Sequence, residues 1–213
     1  MKTRMISVLA TAVFLCMSGA AHAATIVFDD IPNTVNAIQT FVTSTGYDFN
    51  GGHFHIIDSP GPFARNASTS YLAAEKANNL GQPVTMTQIG GGTFTLNQVD
   101  VAELWLPGDP LNDFFYVYIT ANRLIGGPLS MLVTLDGIRD GAGGVADFQL
   151  VTFIGWTGLT DVTFTGRNAA GAFGDYSIDN IVVDSEAVPE PASLTLLVLG
   201  SLSLLAGAIR KRQ

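Results

Sequence analysis

The middle of this sequence predicts an all-β body, an antiparallel two-sheet sandwich, and three observations lead there. Short apolar or alternating runs recur between turn residues at close spacing. The runs are rich in Thr, Val, Phe and Tyr, side chains that fit a pleated, half-buried surface. Within them the period is two: Leu129, Met131, Val133 and Leu135 point one way, and Ser130, Leu132 and Thr134 the other.

Taken in order, the predicted strands are 25–28, 47–57, 84–89, 93–106, 114–121, 129–136, 148–153, 160–166 and 176–183. In the fourth, the apolar positions change parity from Phe94 and Leu96 to Val99 and Val101, which predicts a bulge or kink at Asn97-Gln98. A second parity break separates Tyr176 and Ile178 from Ile181 and Val183. The stretch 71–79 has helical composition and is predicted as one short helix. Pro60-Gly61-Pro62 and the Pro107-Gly108-Asp109-Pro110 segment mark loops, and loops on a rigid scaffold are favoured places for binding.

Two apolar segments flank this body. Lys2 and Arg4, an apolar run over 5–17 and the small-residue site Ala21-His22-Ala23 form the pattern of a secretory signal peptide cleaved before Ala24. The only cysteine, Cys16, lies inside it, and the bulky Leu15 before it does not suit a lipoprotein processing site. The exported chain would therefore hold no thiol and no disulfide. At the other end, 194–209 carries no charge, enough for roughly 24 Å of helix, and Arg210, Lys211 and Arg212 follow at once. Basic residues beside a span stay on the cytoplasmic side, so the body would lie outside. Pro189 and Pro191 keep the approach to the span extended and accessible.

Val188-Pro189-Glu190-Pro191, the apolar helix and the basic cluster together resemble the PEP-CTERM sorting signal of Gram-negative bacteria that make exopolysaccharide. The resemblance implies recognition by an exosortase in the inner membrane, cleavage near Pro-Glu-Pro, and release or transfer to the cell surface or extracellular matrix. A plain single-pass tail anchor is the alternative, and both use the same span. The expected organisation is a signal peptide over 1–23, a sandwich domain over 24–187 and a sorting signal over 188–213. Signal peptidase and exosortase would be the partners during export, with a transient inner-membrane intermediate.

The sandwich segment holds five basic against seventeen acidic residues, a net charge of −12, which disfavours nucleic acid and anionic lipid as partners. Catalytic signatures are missing: no exported cysteine nucleophile, no Gly-x-Ser-x-Gly elbow, no phosphate loop and no dinucleotide fingerprint occur. A non-catalytic role is expected.

Phe28-Asp29-Asp30, Gly46-Tyr47-Asp48-Phe49, His53-Phe54-His55-Ile56, Gly91-Gly92-Thr93-Phe94-Thr95-Leu96, Leu135-Asp136-Gly137 and Ser177-Ile178-Asp179-Asn180-Ile181 are similar to the short jelly-roll domains found in front of this sorting signal. The implied fold is a two-sheet jelly roll, and fold does not fix function. First and last strands lie side by side in such a fold, so oxygens of Asp29, Asp30, Asp179 and Asn180 could converge on one structural Ca²⁺; turn formation by the same residues is the alternative. His53 and His55 can face one side of a strand, the spacing two metal-binding imidazoles need, with Asp58 as a third ligand. Trp105, Trp156, Tyr116 and Tyr118 are candidate platforms for sugar rings, with Asp109, Asn112 and Arg123 as polar neighbours in sequence. The leading expectation is a structural or interaction protein of the cell surface or biofilm matrix. The alternatives are a calcium-dependent carbohydrate-binding module for exopolysaccharide and, behind it, a glycan-active enzyme.

Overall fold

A computed structural model describes residues 22–34, 38–58, 70–75, 83–103, 114–135, 148–168, 171 and 174–185. The described secondary structure is all strand: β1 (His22–Ile26), β2 (Gln39–Ser44), β3 (Tyr47–Ile57), β4 (Tyr71–Glu75), β5 (Val84–Gln88), β6 (Phe94–Glu103), β7 (Phe114–Arg123), β8 (Leu129–Thr134), β9 (Gln149–Thr152), β10 (Leu159–Asn168) and β11 (Tyr176–Ser185). The expected sorting helix and residues 1–21 of the expected signal peptide lie outside the described residues, while His22 and Ala23 at its end open strand β1.

Strands β4 to β11 are wound as a jelly roll. β4 pairs with β11, β5 with β10, β6 with β9 and β7 with β8, each antiparallel pair nested inside the one before. Rolling this hairpin brings β11 beside β6 and β10 beside β7, giving the layers β4-β11-β6-β9 and β5-β10-β7-β8. The first three strands extend it. β1 pairs with the later part of β11, while β2 covers the free edge of β3.

β3 joins the layers because its two halves take different partners. Tyr47–Gly51 pair with β5, and His53–Ile57 pair with β4. The change falls at Gly51, whose φ of 143° is in a region L side chains rarely adopt. A Cβ there would sit 2.1 Å from the Pro83 carbonyl oxygen.

The alternation read at 129–135 holds: Val133 and Leu135 are buried, Leu129 and Met131 pack on the core, and Leu132 faces out. The expected break in β6 is also present, and β11 carries its partner. Three residues of β11, from Asp179 to Val182, span two of β6, from Asp100 to Gln98; one residue of β11 then spans two of β6. The extra residues offset one another. Tyr176, Ile178, Ile181 and Val183 therefore all enter the same core as Val101, Val99, Leu96 and Phe94. Asn180, at φ 47°, takes the left-handed conformation its strand's bulge requires. Across the sandwich, the buried Tyr176 hydroxyl donates to the Phe164 carbonyl at 2.9 Å.

Two elements differ from expectation. The stretch predicted as a helix over 71–79 begins with strand β4, held between β3 and β11, where Tyr71, Leu72, Ala73 and Ala74 are buried on both faces. Tertiary pairing overrides the helix preference of the alanines. β2 was not foreseen: Thr43 and Ser44 reduce its apolar signal, and Phe41 faces solvent.

Replacing Gly51 by Ala should cost about 3 kcal/mol and lower the melting temperature by roughly 6–12 °C. Gly127→Ala, into open space, should change it little; differential scanning fluorimetry of both variants checks this. Burial and the nearby Asp184 push the Tyr47 hydroxyl up to about 12, and burial raises Tyr176 further. Both hold their protons in the fold, so their stabilisation is complete below pH 10, the unfolded value, and is lost as pH rises from there towards 12. The melting temperature should fall over that window, less steeply in Tyr47→Phe.

Candidate functional site

The layers present unlike outer faces. On β4-β11-β6 the outward side chains beside β4 are closed over, Ser177, Asp179, Ala102 and Ala73 being buried, while Thr95, Asp100, Val182 and Asp184 beyond them are half-buried. Ile57, Tyr71 and Ala73, with Phe148 against them, form a second small apolar cluster there, Tyr71 and Phe148 meeting edge to face at 5.7 Å. The β5-β10-β7-β8 layer, extended by β3 and β2, is the open one.

Its outward residues fall into rows because antiparallel registers place them opposite one another. One row runs Ser130, Thr120, Thr163, Thr85, Asn50 and Phe41 from β8 to β2. Below it lie Asn122, Asp161, Thr87, Asp48 and Thr43. Above it are Leu132, Tyr118 and Thr165, then Thr134, Tyr116 and Arg167. At about 4.8 Å between strands the face is roughly 24 Å wide, with about 7 Å from row to row.

The polar rows are braced. Thr85 and Thr163 hydroxyls meet at 2.9 Å, and the Asn122 amide donates to both Asp161 oxygens at 2.9 and 3.2 Å. The Thr160 hydroxyl donates to Asp161 Oδ2 at 3.0 Å, and Thr43 to Asp48 Oδ1 at 2.7 Å. Arg167 Nη1 donates to the Gly171 carbonyl at 3.0 Å. Tyr118 is 39 % exposed beside Leu132 at 57 %, an apolar strip bordered by hydroxyls, amides and a guanidinium. Such a surface offers an apolar platform together with fixed polar partners.

The candidate platforms separate accordingly. Tyr116 and Tyr118 share the open face, one row apart. Trp156 does not: it is 5 % exposed, its ring lies 4.7 Å from Phe153, and its carbonyl accepts from Leu96 N–H at 3.0 Å. It closes the end of the core between β9 and β10, so its assignment as a ligand platform is corrected. Trp105, Asp109, Asn112 and Pro60-Gly61-Pro62 lie outside the described residues, as do Ala21, Val188, Pro189, Glu190, Pro191, Arg210, Lys211 and Arg212. Arg123 ends β7, and its Nε donates to the Gly127 carbonyl at 2.8 Å. Ala23 is exposed in β1 opposite Asp184.

The proposed calcium ligands are split by their hydrogen bonds, although β1 and β11 do pair. Asp29 Oδ1 accepts from Ser70 N–H at 2.7 Å; Asp30 accepts from the Ser44 hydroxyl at 2.7 Å and Thr45 N–H at 3.1 Å. Asp179 Oδ1 accepts from Asn180 N–H at 2.8 Å, and the Asn180 amide donates to Asp100 Oδ2 at 2.9 Å across the bulge. Among the described residues no group of three or more His, Cys, Asp or Glu is arranged to hold a metal ion. His55 Nδ1 is 2.9 Å from the Thr34 carbonyl, whereas buried His53 Nδ1 has no hydrogen-bond partner; Asp58 Oδ1 accepts from the Ser70 hydroxyl at 3.5 Å.

Residues 187–213 match the family described as the PEP-CTERM protein-sorting motif. The chain carries a PEP-CTERM sorting motif. No characterised protein sequence matches it. Among solved structures it is similar to a family 29 carbohydrate binding module at 13% identity and TM-score 0.43, over 81% of this chain and 97% of that one. A mutant family 29 carbohydrate binding module complexed with cellulohexaose gives 11% and 0.42, over 78% and 92%. Arabinose-bound MgGH51 α-L-arabinofuranosidase gives 15% and 0.41, over 76% of this PEP-CTERM chain and 26% of that one.

Sequence reasoning missed Thr85, Thr120, Thr163, Asn50, Leu132 and Arg167 as one surface, because only strand order brings them together. The regular outward threonines of β5 and β10 were the available signal. With Asp29, Asp30, Asp179 and Asn180 each bonded to a different partner and no three-ligand cluster among the described residues, the unfolding midpoint should shift by less than about 2 °C between millimolar calcium and chelator. A rise of several degrees in calcium would restore the shared calcium site.

Proposed function

We propose that this exported, PEP-CTERM-bearing protein is a non-catalytic binding component of the cell surface or extracellular matrix. Its open β5-β10-β7-β8 face takes the polysaccharide of that surface. Exosortase processing after export follows from the sorting motif. The observation that carries the binding reading is the exposed Tyr118–Leu132 strip beside braced rows of Thr, Ser, Asn and Asp on one open face. Aromatic faces lie against the C–H faces of sugar rings, while hydroxyls and amides held at fixed spacing satisfy ring hydroxyls.

The face suits a neutral or cationic glycan. Asp48 and Asp161 lie in its polar rows, while Arg167 stands at the far margin beside Tyr116. The braced side chains lose little freedom on binding, which lowers the entropic cost of association.

The test is binding of the full-length chain in detergent to the producing organism's own exopolysaccharide. Saturable binding is expected in chelator as well as in calcium. Tyr118→Ala should weaken it roughly tenfold, the loss of about 1.4 kcal/mol, and Leu150→Ser on the other layer should leave it unchanged. Equal affinity of wild type and Tyr118→Ala would refute the assignment of this face.

A further inference from the structure

One end of the sandwich carries aliphatic side chains that neither the core nor the glycan-facing rows use. Ile154 is 96 % exposed, Ile125 86 % and Leu124 70 %, and Ile89 is about half exposed. They sit on three separate turns: Ile89 after β5, Leu124 and Ile125 after β7, and Ile154 after β9. Backbone contacts gather these turns together. Leu124 N–H donates to the Gly158 carbonyl, Leu159 pairs with both Arg123 and Phe94, and Leu96 N–H donates to the Trp156 carbonyl. Single exposed aliphatics are ordinary, but several on adjacent turn tips form a surface.

Both chain ends of the sandwich leave from this same end. Ser185, the last residue of β11, pairs with Phe94 of β6 and with His22 of β1. The uncharged run of the sorting motif begins at Leu194, so residues 186–193 can span at most about 30 Å. Arg123 stands among the tips with its guanidinium folded over Gly126, a cation placed where lipid phosphates would lie.

We infer that this end of the sandwich docks on the lipid bilayer while the sorting segment anchors the chain, with Ile89, Leu124, Ile125 and Ile154 entering the interface. The inference rests on the reading of 187–213 as a membrane-anchored sorting motif. Aliphatic tips on short turns enter the headgroup and acyl boundary without unpairing any strand. The glycan-facing row of Tyr116 and Arg167 lies towards the opposite end of β7 and β10, so both surfaces can be engaged at once.

Trp156, two residues after Ile154 and packed against Phe153, is the reporter. The full-length chain with Trp105→Phe is reconstituted in zwitterionic phosphatidylethanolamine/phosphatidylcholine vesicles with and without brominated acyl chains. Flotation establishes anchoring. Trp156 emission should be quenched by the brominated lipid, and Ile125→Ser with Ile154→Ser should abolish the quenching at an unchanged melting temperature. A chain that floats while Trp156 escapes quenching overturns the docking and leaves the anchor standing. So does an emission that responds to the protein-to-lipid ratio but not to bromine, which would mean that a second copy covers the tips. A chain that does not float removes the anchor, and the inference with it.

Discussion

The structure depends on the offset bulges of β6 and β11. Each strand gains one residue, at Asn97-Gln98 in one and around Asn180 in the other, and neither change could stand alone. A single unmatched residue would turn the rest of its strand over and send Ile181 and Val183, or Phe94 and Leu96, out of the core. With both present, the two strands in the middle of one layer keep their apolar side chains inward from end to end. Asn180 serves this pair twice: its backbone adopts the left-handed turn, and its amide bonds Asp100 of the opposing strand.

From that pairing the division of the surface follows. The β4-β11-β6 layer is buried on both sides where it adjoins β4, its outer face there closed over Ser177, Asp179 and the Tyr71–Phe148 contact. The other layer keeps one side free, and its strands alternate there, apolar side chains in and, apart from Phe41, Tyr118 and Leu132, polar side chains out. The proposed recognition surface is therefore the free side. The sorting motif bears on where the protein goes, and the proposed binding face on what it would hold once there.

Much of the fold was legible because strand signals are local. The alternation at 129–135 gave the facing of β8, and the parity breaks in the apolar pattern marked both bulges before any pairing was known. β4 was not legible, since Tyr71-Leu72-Ala73-Ala74 becomes a strand only between β3 and β11. The site was half legible. Tyr116 and Tyr118 share a face because they are two residues apart in a strand. Their polar partners come from β3, β5 and β10, contacts that strand order creates and sequence spacing does not contain. Trp156 misled for a related reason: its turn looks like a loop, yet its side chain seals the core end.

Hydroxyl-radical footprinting of the full-length chain, with and without the organism's exopolysaccharide, tests the central claim most directly. Protection should fall on Tyr116, Tyr118 and Leu132, while the exposed Leu150 on the other layer reacts as before. Protection of Leu150 with Tyr118 and Leu132 unchanged would contradict the account, and so would a footprint that the polysaccharide leaves unaltered.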